Sequence, residues 1–299
     1  MALRMEQYVR PDVIQQVARL DLRARFIVEG FLSGLHGSPY HGFSVEFSEH
    51  RKYTPGDDIR QIDWNVFGKT DRFYIKKYQA ETNLDAYLLV DTSRSMDFAT
   101  GGRMTKMDYA ICIAASLGYM MIHQQDAVGL AMFDEKLREF LPPKSKRTQL
   151  TNILSVLSRH KPRGKTMLAE SIHTIADRVK KRGLMIVLSD LLSEQEQVID
   201  ALHHLRFRGH DIILFQVLDH SEAAFEFDGT VRFEDPETGE TVQTDPRAIR
   251  SAYLEELRRF LAEYRAACQA IRADFVTVDN SMTFDKALIG YLAQRQQRF

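Results

Sequence analysis

The sequence is poor in cysteine, and it contains no long uninterrupted hydrophobic segment. Its 299 residues include two cysteines, Cys112 and Cys268, which excludes a disulfide framework and a zinc cluster built on thiolates. No apolar run approaches the roughly 20 residues that a membrane-spanning helix needs. The N-terminal segment carries scattered arginines and lacks the apolar core of a signal peptide. We therefore expect a cytoplasmic protein without a membrane span.

The sequence also has no excess of positive or negative charge. Forty Lys and Arg residues against 41 Asp and Glu residues give a formal net charge of −1, so the composition favours neither a nucleic-acid partner nor a membrane surface. The hydrophobic fraction of 44% is enough for one large core with a smaller attached unit. The oligomeric state is left open by the sequence.

The familiar catalytic motifs are absent as well. No histidines form a helix-spaced metal-ligand pair, and no Gly-x-Ser-x-Gly elbow surrounds Ser93 or Ser95. The segment Arg163–Thr166 resembles the end of a phosphate-binding loop, but Arg159 stands where that loop requires glycine. An aspartyl phosphatase would need a second carboxylate at position 93. We therefore predict no catalytic residue and no residue that binds an organic cofactor.

What the chain does contain is an alternation of short apolar runs with amphipathic helical patterns from Tyr87 onward. Such runs indicate buried parallel strands, and the alternation predicts an α/β fold with a doubly wound, mostly parallel sheet flanked by helices. Turn signals between short alternating runs predict an inserted β-hairpin near residues 225–246. Each apolar run is followed by an aspartate, and these are Asp91, Asp134, Asp190, Asp219 and Asp279.

We predict a domain boundary between residues 82 and 83. Residues 1–82 are expected to form an N-terminal helical and β-rich extension, and residues 83–299 the α/β domain with the hairpin insertion. Within the extension, the segment PGDDIRQIDW contains the only tryptophan, Trp64. We expect Trp64 to pack the extension against the sheet, and a direct partner surface is the alternative.

The strand-following aspartates differ in what surrounds them. Ligands of an open parallel sheet bind outside the carboxyl ends of its strands, where we expect Asp91 and Asp190. The other three aspartates are expected to form turns or helix caps. Because hard Mg²⁺ prefers oxygen ligands, the set predicts a metal site for Mg²⁺, with Mn²⁺ or Ca²⁺ as alternatives. Its ligands would be Asp91, Ser93, Ser95, Thr166 and Asp190.

This ligand set also indicates what the metal would do. With few carboxylates the ion keeps positive charge and would attract an acidic residue of a partner, and without a general base nearby the site favours binding over hydrolysis. We expect Thr166 to lie at the start of a helix, where its side-chain oxygen is useful. Two alternatives stay open, a metal-dependent phosphoesterase and a metal-free structural scaffold.

The motif Asp91–Ser95, followed by Thr166 and Asp190 in that order, resembles the metal-ion-dependent adhesion site of von Willebrand factor A-like domains. The segment Val45–Glu81 is similar to the signature of a bacterial family of unknown function that accompanies MoxR-type AAA+ ATPases. The resemblance covers nearly the whole chain. It implies a protein-binding adaptor or co-chaperone whose partner is the ATPase or its target, and no established catalysis.

The chain also departs from the family pattern in two ways. Many family members carry membrane-spanning segments near the N-terminus, whereas this sequence shows none. Arg94 stands where small residues are common in such domains. It is not a ligand position, but a cation beside the site would weaken metal binding or steer an acidic partner towards it.

Overall fold

The computed structural model describes residues 44–54, 62–81, 85–123 and 125–282. These residues belong to two compact units, one within residues 36–83 and the other containing the remainder of the described chain. The sequence pattern also predicts a helix from Pro11 onward and another over residues 284–292. Both lie outside the described residues, as do the predicted boundary at 82/83 and most of the PGDDIRQIDW segment.

The smaller unit is an antiparallel pair of strands with a short helix between them. Strand β1 spans Ser44–Lys52 and pairs with β2, Tyr74–Glu81. The alternating pattern of Phe73–Gln79 predicts a strand there, and β2 confirms it. Helix α1, Trp64–Thr70, starts where the side chain of Asp63 accepts a hydrogen bond from the N–H of Val66 at 3.3 Å.

Trp64 does not have the buried position expected for a packing residue. Its side chain is 58% exposed, and its ring meets Phe67 and Phe73 edge-on within the same unit.

The larger unit is built on a six-stranded sheet. Its strands are β3 Asp85–Asp91, β4 Ala127–Phe133, β5 Leu137–Lys144, β6 Leu184–Ser189, β7 Asp211–Leu218 and β10 Asp274–Asp279. They lie in the order β10–β7–β6–β3–β4–β5. All neighbouring pairs are parallel except β4 with the edge strand β5, so the predicted mostly parallel sheet is confirmed. Strand β5 contains Pro142 and Pro143, and proline is tolerated in a sheet mainly at an edge.

Helices cover both faces of this sheet, as a doubly wound fold requires. They are α2 Lys106–His123, α3 Arg147–Arg159, α4 Leu168–Arg178, α5 Gln195–Phe207, α6 His220–Ala224 and α7 Pro246–Ala270. In β3, Leu88 and Val90 pack with α2 and α3, whereas Tyr87 and Leu89 pack with α4, α5 and α7. Successive side chains of one strand therefore enter two different cores, which is why the buried strands have almost continuous apolar sequences. The α/β architecture expected from the sequence, a mostly parallel sheet flanked by helices, is therefore confirmed.

The inserted hairpin is also confirmed. Strands β8, Val231–Glu234, and β9, Thr241–Thr244, pair in an antiparallel way between α6 and α7. The spacing of Ser193 and Glu196 predicts a helix that starts at Ser193 with a capping box. This prediction is wrong, because a tight turn with Leu191 at φ 62° delays the start of α5 to Gln195. In the described part of the chain, no helix is both long enough and apolar enough to span a bilayer.

Candidate functional site

The site lies where the strand order of the sheet reverses. The chain leaves β3 for β4 on one side and later returns to β6 on the other side, so the carboxyl ends of β3 and β6 flank a topological switch point. Asp91 is the last residue of β3, and Asp190 directly follows β6. Both are buried, at 0% and 1% exposure. Ligands of open α/β sheets bind at this kind of crevice.

Three of the five predicted ligands are brought together by local hydrogen bonds. Asp91 Oδ1 accepts a hydrogen bond from the backbone N–H of Ser93 at 2.9 Å, which folds the loop back over the strand end. The hydroxyls of Ser93 and Ser95 are 3.0 Å apart. Asp91 Oδ2 accepts a hydrogen bond from the hydroxyl of Ser189 at 2.6 Å, so β6 is tied to the same carboxylate.

Within the described parts of the chain, no cation is paired with Asp91. Burial, followed by the negative charge of Asp190, raises the pKa of Asp91 to about 7, although the hydrogen bonds from Ser189 and Ser93 oppose this rise. Among the described residues, no ion pair involves Asp91. A buried carboxylate with hydroxyl neighbours and no cation is an environment in which a bound cation would be strongly favoured.

Asp190, in contrast, already has a cationic partner. The ammonium of Lys106, at the start of α2, lies 2.8 Å from Asp190 Oδ2 and 2.8 Å from Glu222 Oε1. Burial by itself lowers the pKa of Lys106, but the two carboxylates outweigh it and hold the pKa above its usual value. A charged ammonium is therefore fixed beside one of the predicted metal ligands.

Thr166 does not cap a helix as we had expected. Helix α4 begins at Leu168, and the preceding Met167 makes no capping hydrogen bond through its side chain. Instead, the backbone N–H and the hydroxyl of Thr166 both donate to the carboxylate of Glu237, at 3.1 and 2.7 Å. Glu237 belongs to the loop at the tip of the β8–β9 hairpin. The predicted metal ligand is thus engaged by an acidic residue of the same chain.

The loop that carries Thr166 lies beside the loop that follows β3. The backbone N–H of Arg94 donates to Gly164 O at 3.0 Å, and the N–H of Arg163 donates to Thr92 O at 3.0 Å. No hydrogen bond joins Thr166 itself to the other four predicted ligands within the described residues. The side chain of Arg94 is exposed. Four of the five predicted ligands therefore lie together at the strand ends, and Thr166 lies on an adjoining loop.

The remaining strand-following aspartates are structural, as predicted. Asp219 caps α6 in a capping box with Glu222, Asp134 accepts a hydrogen bond from the N–H of Lys136, and Asp279 accepts one from the N–H of Ser281. Burial alone raises the pKa of Asp219, but hydrogen bonds from Ser221, Thr100 and Asn280 outweigh it and hold the pKa well below its usual range. These three carboxylates stabilise loops at the same sheet edge without joining the site.

Comparison with known proteins assigns the chain to a family. The family model described as "Protein of unknown function DUF58" matches residues 49–263, which is most of the chain. The chain belongs to this family. The uncharacterized protein Rv1480 of Mycobacterium tuberculosis is 26% identical to it over 261 residues, covering 86% of this chain and 80% of the relative.

Two solved structures are similar to this DUF58 chain. BatB, a conserved hypothetical protein from Bacteroides thetaiotaomicron, matches with a TM-score of 0.45 and 15% identity, covering 72% of this chain and 99% of BatB. An aerotolerance-related membrane protein from Bacteroides fragilis matches with a TM-score of 0.47 and 17% identity, covering 71% and 99%. Likenesses at this level carry no argument about function.

The side chains of the site fit a hard divalent cation in their chemistry. Among the described residues, no group of three or more His, Cys, Asp or Glu side chains is arranged to hold a metal. A cation here would therefore depend on two carboxylates, on hydroxyls and on water, which is the ligand chemistry that Mg²⁺ accepts. The buried carboxylate of Asp91 beside the Ser93 and Ser95 hydroxyls fits such an ion, whereas Lys106 competes with it at Asp190.

Sequence reasoning missed four residues of this site, which are Ser189, Lys106, Glu222 and Glu237. For two of them, Lys106 and Glu237, the sequence contains a feature that points to a contact. A lysine in the first turn of a helix opposes the helix dipole, so Lys106 was a candidate for a specific acidic partner. The acidic tip Glu234–Glu240 contrasts with the basic segment Arg159–Lys165, which favours contact between them.

Proposed function

We propose that this DUF58 protein is a non-enzymatic, Mg²⁺-dependent protein-binding module that serves as an adaptor or co-chaperone for a MoxR-type AAA+ ATPase. The observation that carries the metal part is the buried Asp91, which lacks a cationic partner among the described ion pairs. Its neighbours Ser93 and Ser95 add two hydroxyls at the same strand end. The proposed ligands are Asp91, Ser93, Ser95, Thr166 and Asp190, with Mn²⁺ or Ca²⁺ as alternative ions.

Binding through a carboxylate of the partner follows from the chemistry of this site. Because Lys106 already compensates Asp190, a divalent ion at this site would meet one uncompensated carboxylate, keep positive charge and attract a further anionic ligand. The contact of Glu237 with Thr166 supports this, because a carboxylate already occupies that edge of the site. The MoxR-type partner rests on the family resemblance of the segment Val45–Glu81. The cytoplasmic location remains a prediction from the sequence.

Isothermal titration with Mg²⁺ and Mn²⁺ tests the metal part. We expect saturable binding by the wild type and its loss in Asp91→Asn, which removes the charge at nearly constant size. Asp97→Asn is the matched control, because Asp97 is an exposed aspartate of the same loop. Unchanged titration of a folded Asp91→Asn variant would overturn the proposal. A pull-down with and without chelator then identifies the partner and tests whether its binding needs the metal.

One observation favours the metal-free scaffold as a second candidate. The ammonium of Lys106 compensates Asp190, and the Ser189 hydroxyl satisfies Asp91, so part of the cluster is stabilised internally. If this candidate is correct, Mg²⁺ and Mn²⁺ will not bind to the wild type or to Lys106→Met. The phosphoesterase alternative predicts turnover of a generic phosphate ester that is lost in Asp190→Ala.

A further inference from the structure

The contact between the inserted hairpin and Thr166 has the form of a bound ligand. One carboxylate, that of Glu237, accepts hydrogen bonds from both the N–H and the hydroxyl of Thr166, at 3.1 and 2.7 Å. The two residues are 71 positions apart, so neither local turn geometry nor helix capping explains the pairing. Two donors that converge on one carboxylate make a charge-assisted, directional contact.

We propose that the Glu237 turn, defined as residues Asp235–Gly239, is a built-in ligand of the candidate site, and that the partner is a protein that presents an acidic β-turn in its place. This inference rests on the proposed function only for the statement that the site binds a partner. The hairpin then acts as an intramolecular competitor, and Thr166 is the residue for which the two turns compete.

The turn is organised by its own side chains rather than by the contact with Thr166. Asp235 Oδ1 accepts from the N–H of Glu237 at 2.8 Å, and Asp235 Oδ2 accepts from the hydroxyl of Thr238 at 2.7 Å. The N–H of Gly239 donates to Asp235 O at 2.8 Å, and Gly239 has φ 76°, a conformation that favours glycine. The turn therefore keeps its shape when released, and little conformational entropy opposes its docking.

Charge complementarity supports docking at this place. The tip Glu234–Glu240 contains four acidic residues, and the segment Arg159–Lys165, which directly precedes Thr166, contains four basic residues. Opposite charges on two exposed loops attract each other over several ångströms, and salt weakens this attraction. A partner turn of the same charge would be drawn to the same basic segment.

The tip can leave without unfolding the base of the hairpin. The base is held by aromatic rings, since Phe225 stacks on Tyr253 of α7 at 4.2 Å and Phe233 lies 5.3 Å from Phe227. The tip is polar, and both Thr166 and Glu237 are only partly buried. Release of the tip therefore exposes little apolar surface, so the docked state is in equilibrium with an open state.

Competition between the hairpin tip and a partner allows an estimate of how much Glu237 lowers the apparent affinity for the partner. Two charge-assisted hydrogen bonds within one chain are enough to keep the tip docked most of the time, since a tethered ligand acts at millimolar effective concentration. A partner then binds only the open fraction, so its apparent affinity falls by that fraction. Removing the Glu237 carboxylate should raise the affinity for an external acidic turn about ten- to a hundred-fold.

The probe for this test is a cyclic fluorescent peptide of residues 231–244, and its fluorescence anisotropy is measured with the full chain. We expect Glu237→Gln to bind the peptide about ten- to a hundred-fold more tightly than the wild type. Glu240→Gln is the matched control, because it removes one charge from the same tip without touching Thr166, and it should behave like the wild type. Equal affinity of Glu237→Gln and the wild type, or no binding by Glu237→Gln, overturns the inference.

Two further arms separate this inference from the metal proposal. Thr166→Val in the Glu237→Gln background should abolish peptide binding, and retained binding contradicts the role of Thr166. Each titration is repeated with Mg²⁺ and with EDTA. Tight peptide binding by Glu237→Gln in EDTA supports the built-in ligand and contradicts metal dependence. Calorimetric Mg²⁺ binding that Asp91→Asn abolishes, together with no effect of Glu237→Gln on the peptide, leaves the metal site intact and overturns the built-in ligand.

Discussion

Replacement of Lys106 by methionine is the sharpest test of how the site is stabilised. Methionine has nearly the length of lysine but no charge, so Lys106→Met removes the ammonium and largely preserves packing. The ammonium lies 2.8 Å from Asp190, whose side chain is 0% exposed, and 2.8 Å from Glu222, whose side chain is 23% exposed. The variant would leave Asp190 without a counter-charge next to the equally buried Asp91.

The expected cost follows from this burial. Removing one partner of a buried ion pair costs about 3–5 kcal/mol, because the other charge stays buried without compensation. Most of this cost comes from Asp190, since the partly exposed Glu222 is screened by water. In a unit of this size each kcal/mol lowers the melting temperature by about 2–4 °C, so Lys106→Met should melt roughly 6–20 °C below the wild type.

Urea unfolding followed by far-ultraviolet circular dichroism in EDTA measures this cost. The control is Lys136→Met, an exposed lysine whose loss should change stability by less than about 0.5 kcal/mol. The double variant Lys106→Met/Asp190→Asn should recover part of the loss, because the orphaned charge is then gone. A destabilisation of Lys106→Met below about 1 kcal/mol would refute the view that this ion pair holds the site together.

Two further predictions concern the fold around the site. Gly183→Ala should destabilise the protein by about 1–3 kcal/mol in urea unfolding, because a Cβ there overlaps the carbonyl oxygen of Asp85. Gly118→Ala, in the interior of α2 with room for a methyl group, should be neutral or stabilising, and equal losses in the two variants would contradict this reasoning. Burial lowers the pKa of His210 to about 4, so folding excludes its proton and stability should fall by up to about 2 kcal/mol as the pH drops from about 6.5 to 4. The free energy of unfolding of His210→Gln should depend less steeply on pH across this range. If the variant and the wild type show the same dependence on pH, His210 is not the group responsible.

The strands of the sheet were predictable because their burial is visible in local sequence. Strand β4 is buried along nearly its whole length, and a short continuous apolar run such as Val128–Phe133 is typical of a strand that is covered on both faces of its sheet. Edge strand β5, Leu137–Lys144, was not predicted, because its residues are partly exposed and it carries two prolines. The start of α5 was predicted too early, because the turn at Leu191 depends on backbone geometry that the residue types do not reveal.

In the site, contacts between residues close in the sequence could be predicted, whereas contacts between distant residues could not. Asp91 and Ser93 contact each other across two positions, so their spacing alone indicated a shared loop. Lys106 and Asp190 are 84 positions apart, and the sequence around either residue does not indicate that the other is its partner. The contact of Glu237 depends in the same way on where an inserted hairpin comes to lie.

The two distant contacts bring opposite charges to opposite parts of the site. Lys106 supplies a cation to Asp190, and Glu237 supplies a carboxylate to Thr166, and both Asp190 and Thr166 are proposed metal ligands. The cation does not complete the site, because the second carboxylate within reach of the Lys106 ammonium is Glu222 and not Asp91. Among the described ion pairs Asp91 has no cation, so Lys106 lowers the electrostatic demand for a bound cation at Asp190 and leaves that demand in place at Asp91.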